Sequence, residues 1–310
     1  MNRDASGNAS SCVHGADRSG WVERIRPWLG TTVRIGVGGL RAEVAEALIE
    51  RGFEAIAAAH RTLGYHDPAS ELSRFNRLPA GSSMQPHPWL RRVLEIAVAL
   101  SAESDGEFDV TVAPSLIRAG RLPATDRVVQ PSVDWRDLRL SPDGTIAWSR
   151  EGLVDLGGIA KGFAVDLAAE AMTLPDSVSW RIEAGGDLRV GGAEAEQIVL
   201  SVPGHAPDSY PVIALSEGSL ASSARDRHAP VHFRGRDRGT ACACEFVAVV
   251  APWCVIADAL TKVVLASDDD ETVSKLLVRH QATAYRYDAR TGWRTLGVAA
   301  LASREANGRI

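Results

Sequence analysis

Four cysteines in 310 residues, with no CxxC pair and no histidine cluster, argue against a structural zinc site and for reduced thiols. Cys242 and Cys244 in "ACACEF" stand too close for a standard bridge to each other, and that segment reads as a strand. Cys12 lies in the polar N-terminal stretch, and Cys254 follows Trp253 at an expected strand end. No apolar run reaches transmembrane length, and no internal repeat is visible. The first twenty residues, "MNRDASGNASSCVHGADRSG", contain no apolar h-region, so neither a secretory signal nor a lipoprotein leader is expected and a cytoplasmic location is favoured. Positive charge is short as well: 34 Lys and Arg against 39 Asp and Glu leave a net charge of -5, with the basic residues scattered rather than striped. That excludes nucleic acid as the main partner. Two familiar phosphate motifs are also missing. "GGIAKG" is not a Walker loop and lacks dinucleotide spacing, while "GVGG" carries Arg41 where the third glycine of a dinucleotide fingerprint belongs.

What remains is a chain with 45% hydrophobic residues, able to bury a large core. One domain is expected over residues 21–300, between a disordered polar tail at 1–20 and a flexible tail at 301–310. "TTVRIGVGG" alternates as a strand, and the following segment has helical periodicity up to Gly64. "HDPASELSRFN" reads as a turn and a short helix capped by Ser70 or Asp67, and "HPWLRRVLEIAVALSAESDG" as a second long helix closing at Gly106. "FDVTVAPSLIRAG" reads as an extended piece broken by Pro114, and residues 121–150 as loops with short strands such as "TIAW". Strands are expected through "SWRIEAGGDLRVGG", "QIVLSVPG", "VIALSEGSLASSA" and "FVAVVAP", then the helix "CVIADALTKVVLAS", a helix to His280 and a final hairpin. Strands and helices mix without steady alternation, which points to an α+β fold with mixed sheets.

The stretch "LVDLGGIAKGFAVDLAAEAM" at 153–172 reads as a strand, a glycine turn and a helix. The first amides of such a helix suit an anion. Lys161 in the first turn works against the helix dipole, and Gly162 costs about 1 kcal/mol relative to alanine, so local helix stability selects neither residue. Polar islands recur beside glycines at other strand ends: Asp109 and Thr111, Glu183 and Asp187, Ser222 and Ser223. Asp258 sits in an otherwise apolar helix, and a buried carboxylate needs a cation, either a metal or a lysine.

Six segments, "YHDPASELSRFN", "GEFDVTVAP", "VDLGGIAKGFAVDLAAE", "EAGGDLRVGG", "GSLASSARDR" and "VVAPWCVIADALTK", resemble in order and spacing the ApbE-type FAD:protein FMN transferases, over roughly residues 29–286. The resemblance implies an ApbE-like α+β fold with a flavin nucleotide pocket between intertwined lobes. It implies an enzyme that splits the FAD pyrophosphate with Mg2+ assistance, attaches FMN to a threonine of a target flavoprotein and releases AMP. The pocket residues it implies are Tyr65 against the isoalloxazine ring, with Asp109, Thr111, Asp155, Gly157, Gly158, Lys161, Asp166, Glu183, Gly185, Gly186, Asp187, Ser222 and Ser223. The metal would be held by the Ala160 carbonyl and by Asp258, which is counted as catalytic.

Two positions depart from the family pattern. Lys262 stands where a threonine ligand is usual, so either Thr261 reaches the metal instead or the Lys262 ammonium neutralises Asp258 and takes the metal's place. The family's histidine segment is altered to "RHAPVHFRGRDRG", leaving His232 as the expected base, with an ordinary pKa near 6.5, and His228 as its alternative. Two other functions stay open: an FAD pyrophosphatase with water as acceptor, and a catalytically inert flavin-binding or assembly protein.

Overall fold

The computed structural model describes residues 20–127, 129–130, 132–202, 210–225, 232–241 and 243–298. The expected tails apart from Gly20, together with Cys12, Cys242 and His228, lie outside the described residues. The chain begins with a hairpin of β1 (Trp21–Trp28) and β2 (Thr31–Gly38), followed by α1 (Ala42–Leu63) and α2 (Glu71–Asn76). Next come β3 (Ser83–Met84), α3 (Pro88–Glu103), α4 (Ala113–Arg118), β4 (Leu138–Leu140) and β5 (Ile146–Trp148). α5 (Ala160–Met172) leads into β6 (Trp180–Ala184), β7 (Asp187–Gly191), β8 (Glu196–Val199), β9 (Val212–Leu215), β10 (Gly218–Ala224) and β11 (Phe246–Ala251). The described fold closes with α6 (Cys254–Ala266), α7 (Asp270–Arg279), β12 (Thr283–Asp288) and β13 (Gly292–Gly297). This is the expected α+β class. No described helix is long and apolar enough to cross a membrane.

Eight strands form one sheet in the order β1-β2-β6-β7-β10-β11-β12-β13, antiparallel at every ladder. Alternation along each strand sends successive side chains to opposite faces. On β11, Val247 and Val249 join the main core with Ile35 of β2, Phe53 of α1, Phe163 of α5 and Leu260 of α6. Phe246 and Ala248 face the other way, into a smaller cluster with Leu188, Val190 and Leu220, covered by Ile198 and Ile213 of the β8–β9 hairpin.

Several segments differ from the sequence expectation, each for a local reason. β1 was missed: "WVERIRPW" interleaves charge and carries Pro27, as suits an edge strand, and it is only partly buried. Residues 110–118 are not extended. Asp109 Oδ1 accepts from the Thr111 amide at 2.8 Å to start a 3-10 turn, and Pro114 falls in the first turn of α4, where its missing N–H costs nothing. Residues 153–156 pair with no described strand; the Asn76 side chain instead exchanges two hydrogen bonds, each 2.8 Å, with the backbone of Val154. "SWRIEAGGDLRVGG" is two strands, because Gly185 and Gly186 adopt φ of 56° and 100° and turn the chain back. Cys244 precedes β11 rather than lying in it, and Cys254 begins α6, as the helix "CVIADALTKVVLAS" expected, rather than ending a strand.

Candidate active site

α5 starts with no cap of its own, since Ile159 before it offers no side-chain hydrogen bond. The Gly162 amide donates instead to Asp258 Oδ2 of α6 at 3.2 Å. α6 also lacks a cap at Trp253, and its first amides, on Cys254 and Val255, donate to Asp166 Oδ1 and Oδ2 of α5 at 3.0 and 2.9 Å. Each helix therefore caps the other with a carboxylate at the positive end of its dipole.

Lys161 occupies an unfavourable place on α5 because its partners lie across from it. Its Nζ donates to Asp187 Oδ2 at 2.6 Å and to Asp258 Oδ2 at 3.4 Å. Lys262, one turn beyond Asp258, donates from Nζ to Asp258 Oδ1 at 2.9 Å, to Ser223 Oγ at 2.9 Å and to Thr261 Oγ1 at 2.8 Å. Two carboxylates with 0% exposure, Asp187 and Asp258, thus share two ammoniums. Burial opposes the charge on Lys161, but Asp187 and Asp258 outweigh it and hold the ammonium well above the usual lysine range. Burial opposes the Asp258 charge as well, and Lys161 and Lys262 overcome it, keeping that carboxyl well below the usual range. Asp187 is less compensated: burial and then the Asp258 charge push it up, and its Oδ1 has no hydrogen-bond partner.

Both ammoniums face a cavity of about 740 Å3, within the size range of small-molecule and cofactor pockets. Of the residues expected there, Tyr65, Asp109, Asp155, Gly157, Gly158, Ala160, Lys161 and His232 line it. Asp187, Ser223, Asp258 and Thr261 are not among the lining residues and hold the two lysines by hydrogen bonds. Thr111 backs Asp109, donating its amide and hydroxyl to Asp109 Oδ1, each at 2.8 Å. Burial pushes Asp155 up to about 6. Burial and then the Asp155 charge push the Tyr65 phenol up.

The remaining expected residues are held elsewhere. Asp166 caps α6 and bonds Arg189 at 2.6 Å. Glu183 pairs with Arg181 on the sheet. Gly185 and Gly186 form the β6–β7 turn, and the Ser222 amide donates to the Gly186 carbonyl at 3.2 Å. None of these lines the cavity. In the basic segment after β10, residues 232–241 are described, and they pack against the pocket. The Gly235 amide donates to the Glu107 carbonyl at 3.1 Å, and a Cβ at Gly235 would come within 2.2 Å of the Asp109 Cβ. Arg238, at φ 60°, donates to Thr111 Oγ1 at 2.8 Å and pairs with Asp109 at 3.2 Å. The sequence reading missed Leu29, Glu107, Phe108 and Phe233 as wall residues; Glu107 and Phe108 lie beside Asp109 in "GEFDV", and that adjacency was the available signal. His232 departs from its expected ordinary value. Burial, then Lys262 and Lys161, push it down to about 3, so the imidazole is neutral across the working pH range.

A family model described as the ApbE family matches residues 29–285. The chain belongs to the ApbE family. A relative from Haemophilus influenzae, named FAD:protein FMN transferase, is 30% identical over 50% of this chain and 51% of its own length. One from Vibrio cholerae with the same name is 26% identical over 56% of this chain and 55% of its own length. The chain therefore matches about half the length of these curated relatives. An ApbE protein structure from Thermotoga maritima superposes with TM-score 0.78 at 22% identity, covering 91% of this chain and 98% of that one. The ApbE flavin transferase of Vibrio cholerae gives TM-score 0.76 at 20% identity over 91% of this chain and 98% of its own, and these likenesses establish the shared fold.

The donor set does not fit the magnesium ion that the resemblance implied. Magnesium demands a near-octahedral set of oxygens. Both Asp258 carboxylate oxygens already accept from Lys262, Lys161 or the Gly162 amide. Thr261 Oγ1 donates to the Asp258 carbonyl at 2.6 Å and accepts from Lys262. Among the described residues no three His, Cys, Asp or Glu side chains converge as metal ligands, and of the buried carboxylate oxygens of Asp187 and Asp258 one, Asp187 Oδ1, is unclaimed. Two unit charges 4 Å apart repel by about 4 kcal/mol at a protein-like dielectric, and a divalent ion beside the Lys262 ammonium by about twice that.

Proposed function

We propose that this ApbE-family protein is an FAD:protein FMN transferase. A threonine hydroxyl of a target flavoprotein attacks the FMN phosphorus of bound FAD, a new P–O bond forms to the threonine oxygen, and the bridging P–O bond of the pyrophosphate breaks to release AMP. The observation that carries this reading is the pair of ammoniums, Lys161 and Lys262, on one wall of a nucleotide-sized cavity beside the α5 N-terminus. Phosphoryl transfer depends mostly on positioning and on neutralising charge that spreads over the phosphoryl oxygens, and these two cations supply it. The apolar residues among the lining, such as Leu29, Tyr65, Phe108 and Leu116, suit the isoalloxazine ring.

His232 takes the hydroxyl proton. It is neutral in the free protein because burial and the two lysines disfavour its charge. The negative pyrophosphate offsets the lysines, so the imidazole gains basicity when substrate is bound. Magnesium has no part in this sequence of steps, since the residues beside Asp258 do not accommodate it.

Incubation of the purified protein with FAD and an acceptor protein bearing an exposed threonine tests the reading. Covalent flavin fluorescence on the acceptor, with an equal amount of AMP, is the expected result. AMP with an unlabelled acceptor would replace the transferase with a pyrophosphatase, and flavin binding with neither product would leave a binding protein.

A further inference from the structure

We infer that the Lys262 ammonium is a built-in cation that stands in for a divalent metal, so that this chain grips the pyrophosphate of its dinucleotide without one. The inference rests on the transferase reading for the identity of that ligand. Its structural basis is the shell around Nζ: three oxygens at 2.8–2.9 Å, from Asp258 Oδ1, Ser223 Oγ and Thr261 Oγ1, with the Asp258 carbonyl at 3.3 Å. A carboxylate, two hydroxyls and a carbonyl converging on one point make a hard-cation site, and here its occupant is covalently tethered. The three close oxygens use up the three N–H donors of the ammonium. Lys262 therefore acts on the ligand through its charge, across the cavity wall it helps form.

Two further features fit the tethered cation. A Cβ on Gly158 would meet Lys262 Cγ at 3.3 Å and Cε at 3.4 Å, so the glycine turn leaves the room that the lysine stem fills. The charge count also closes, since Asp187 and Asp258 are matched by Lys161 and Lys262. A divalent ion added to that set in the free protein, without the anionic ligand, leaves a buried excess of positive charge. Replacing Lys262 by a neutral residue leaves one carboxylate uncompensated, which repels an anionic ligand and attracts a divalent ion.

The test measures metal binding and FAD binding separately from transfer. Mn2+ alone is titrated into the full chain and followed by the resonance signal of the free ion, and FAD affinity is read by flavin fluorescence in EDTA and in excess Mg2+. The unaltered protein is expected to show no saturable Mn2+ site and the same FAD affinity in both buffers. Lys262→Thr is expected to gain one Mn2+ site and to bind FAD roughly tenfold or more weaker in EDTA than in Mg2+. Lys262→Met keeps a stem against Gly158 without the charge, and is expected to lose roughly tenfold in FAD affinity in EDTA even if the threonine variant does not fold. A saturable Mn2+ site in the unaltered chain, FAD binding that requires Mg2+, or full FAD affinity of Lys262→Met in EDTA would each overturn the inference. Absence of FAD binding in any buffer would instead remove the transferase reading on which it rests.

Discussion

Gly162 lies within α5, where alanine is the better helix former by about 1 kcal/mol. Its surroundings reverse that preference. A Cβ there would meet the Cys254 carbonyl oxygen at 2.3 Å and the Val255 Cα at 2.9 Å, all backbone at the start of α6. No rotamer change relieves such a clash, so the two helix starts must move apart, and with them the Gly162 amide and Asp258. Gly162→Ala is expected to destabilise the protein by roughly 1–3 kcal/mol in chemical denaturation, the range for overpacking a closed contact. An unchanged or higher stability would show that the helix contact is softer than the distances indicate. Lys161 next to it follows the same pattern: a residue that local helix preference disfavours is placed by its partners on other elements, here Asp187 and Asp258.

At the scale of elements, α5 and α6 depend on each other because neither carries a capping residue of its own. Asp166 serves two amides of α6 and the Arg189 guanidinium, and Asp258 serves α5. Asp166→Ala leaves two buried amides and Arg189 without that acceptor, and is expected to cost roughly 2–3 kcal/mol of stability. Asp166 does not line the cavity, so FAD affinity per folded molecule is expected to survive while the melting temperature falls. Loss of FAD binding in a variant that melts normally would instead restore Asp166 to the pocket. Long periodic helices such as α1, α3 and α6 were legible in the sequence because their apolar spacing is set by the core they face. Elements held by one side chain were not: the 3-10 turn started by Asp109, and the segment at Val154 pinned by Asn76, 78 residues away in sequence. Reciprocal capping is equally invisible, since an aspartate in mid-helix carries no local sign of which amide it meets.

Across the whole molecule, the pocket gathers segments from the β1–β2 turn to α6, and the sequence identified its glycine turn, Lys161, Asp155 and Tyr65 through the family resemblance. It did not show which polar residues face the cavity and which stand behind it, because that depends on sheet register and on loop packing such as Gly235 against Asp109. This placement has a consequence for stability. Burial pushes Asp155 up to about 6 from the ordinary 3.8, against the opposing effects of the Gly157 amide and His66. Between those values the folded protein holds a proton that the unfolded chain has released, so stability falls as pH rises. The contribution is fully present below about 4 and is lost as pH passes through 6. Asp155→Asn keeps an acceptor for the Gly157 amide and never ionises, so it escapes that loss. Thermal melts of both proteins are expected to show the asparagine variant gaining on the parent as pH rises from about 4 through about 6. The other carboxylates titrate in both proteins and cancel in the comparison. A difference in melting temperature that stays constant with pH would mean that Asp155 titrates alike in the folded and unfolded chain, and that the cavity does not desolvate it.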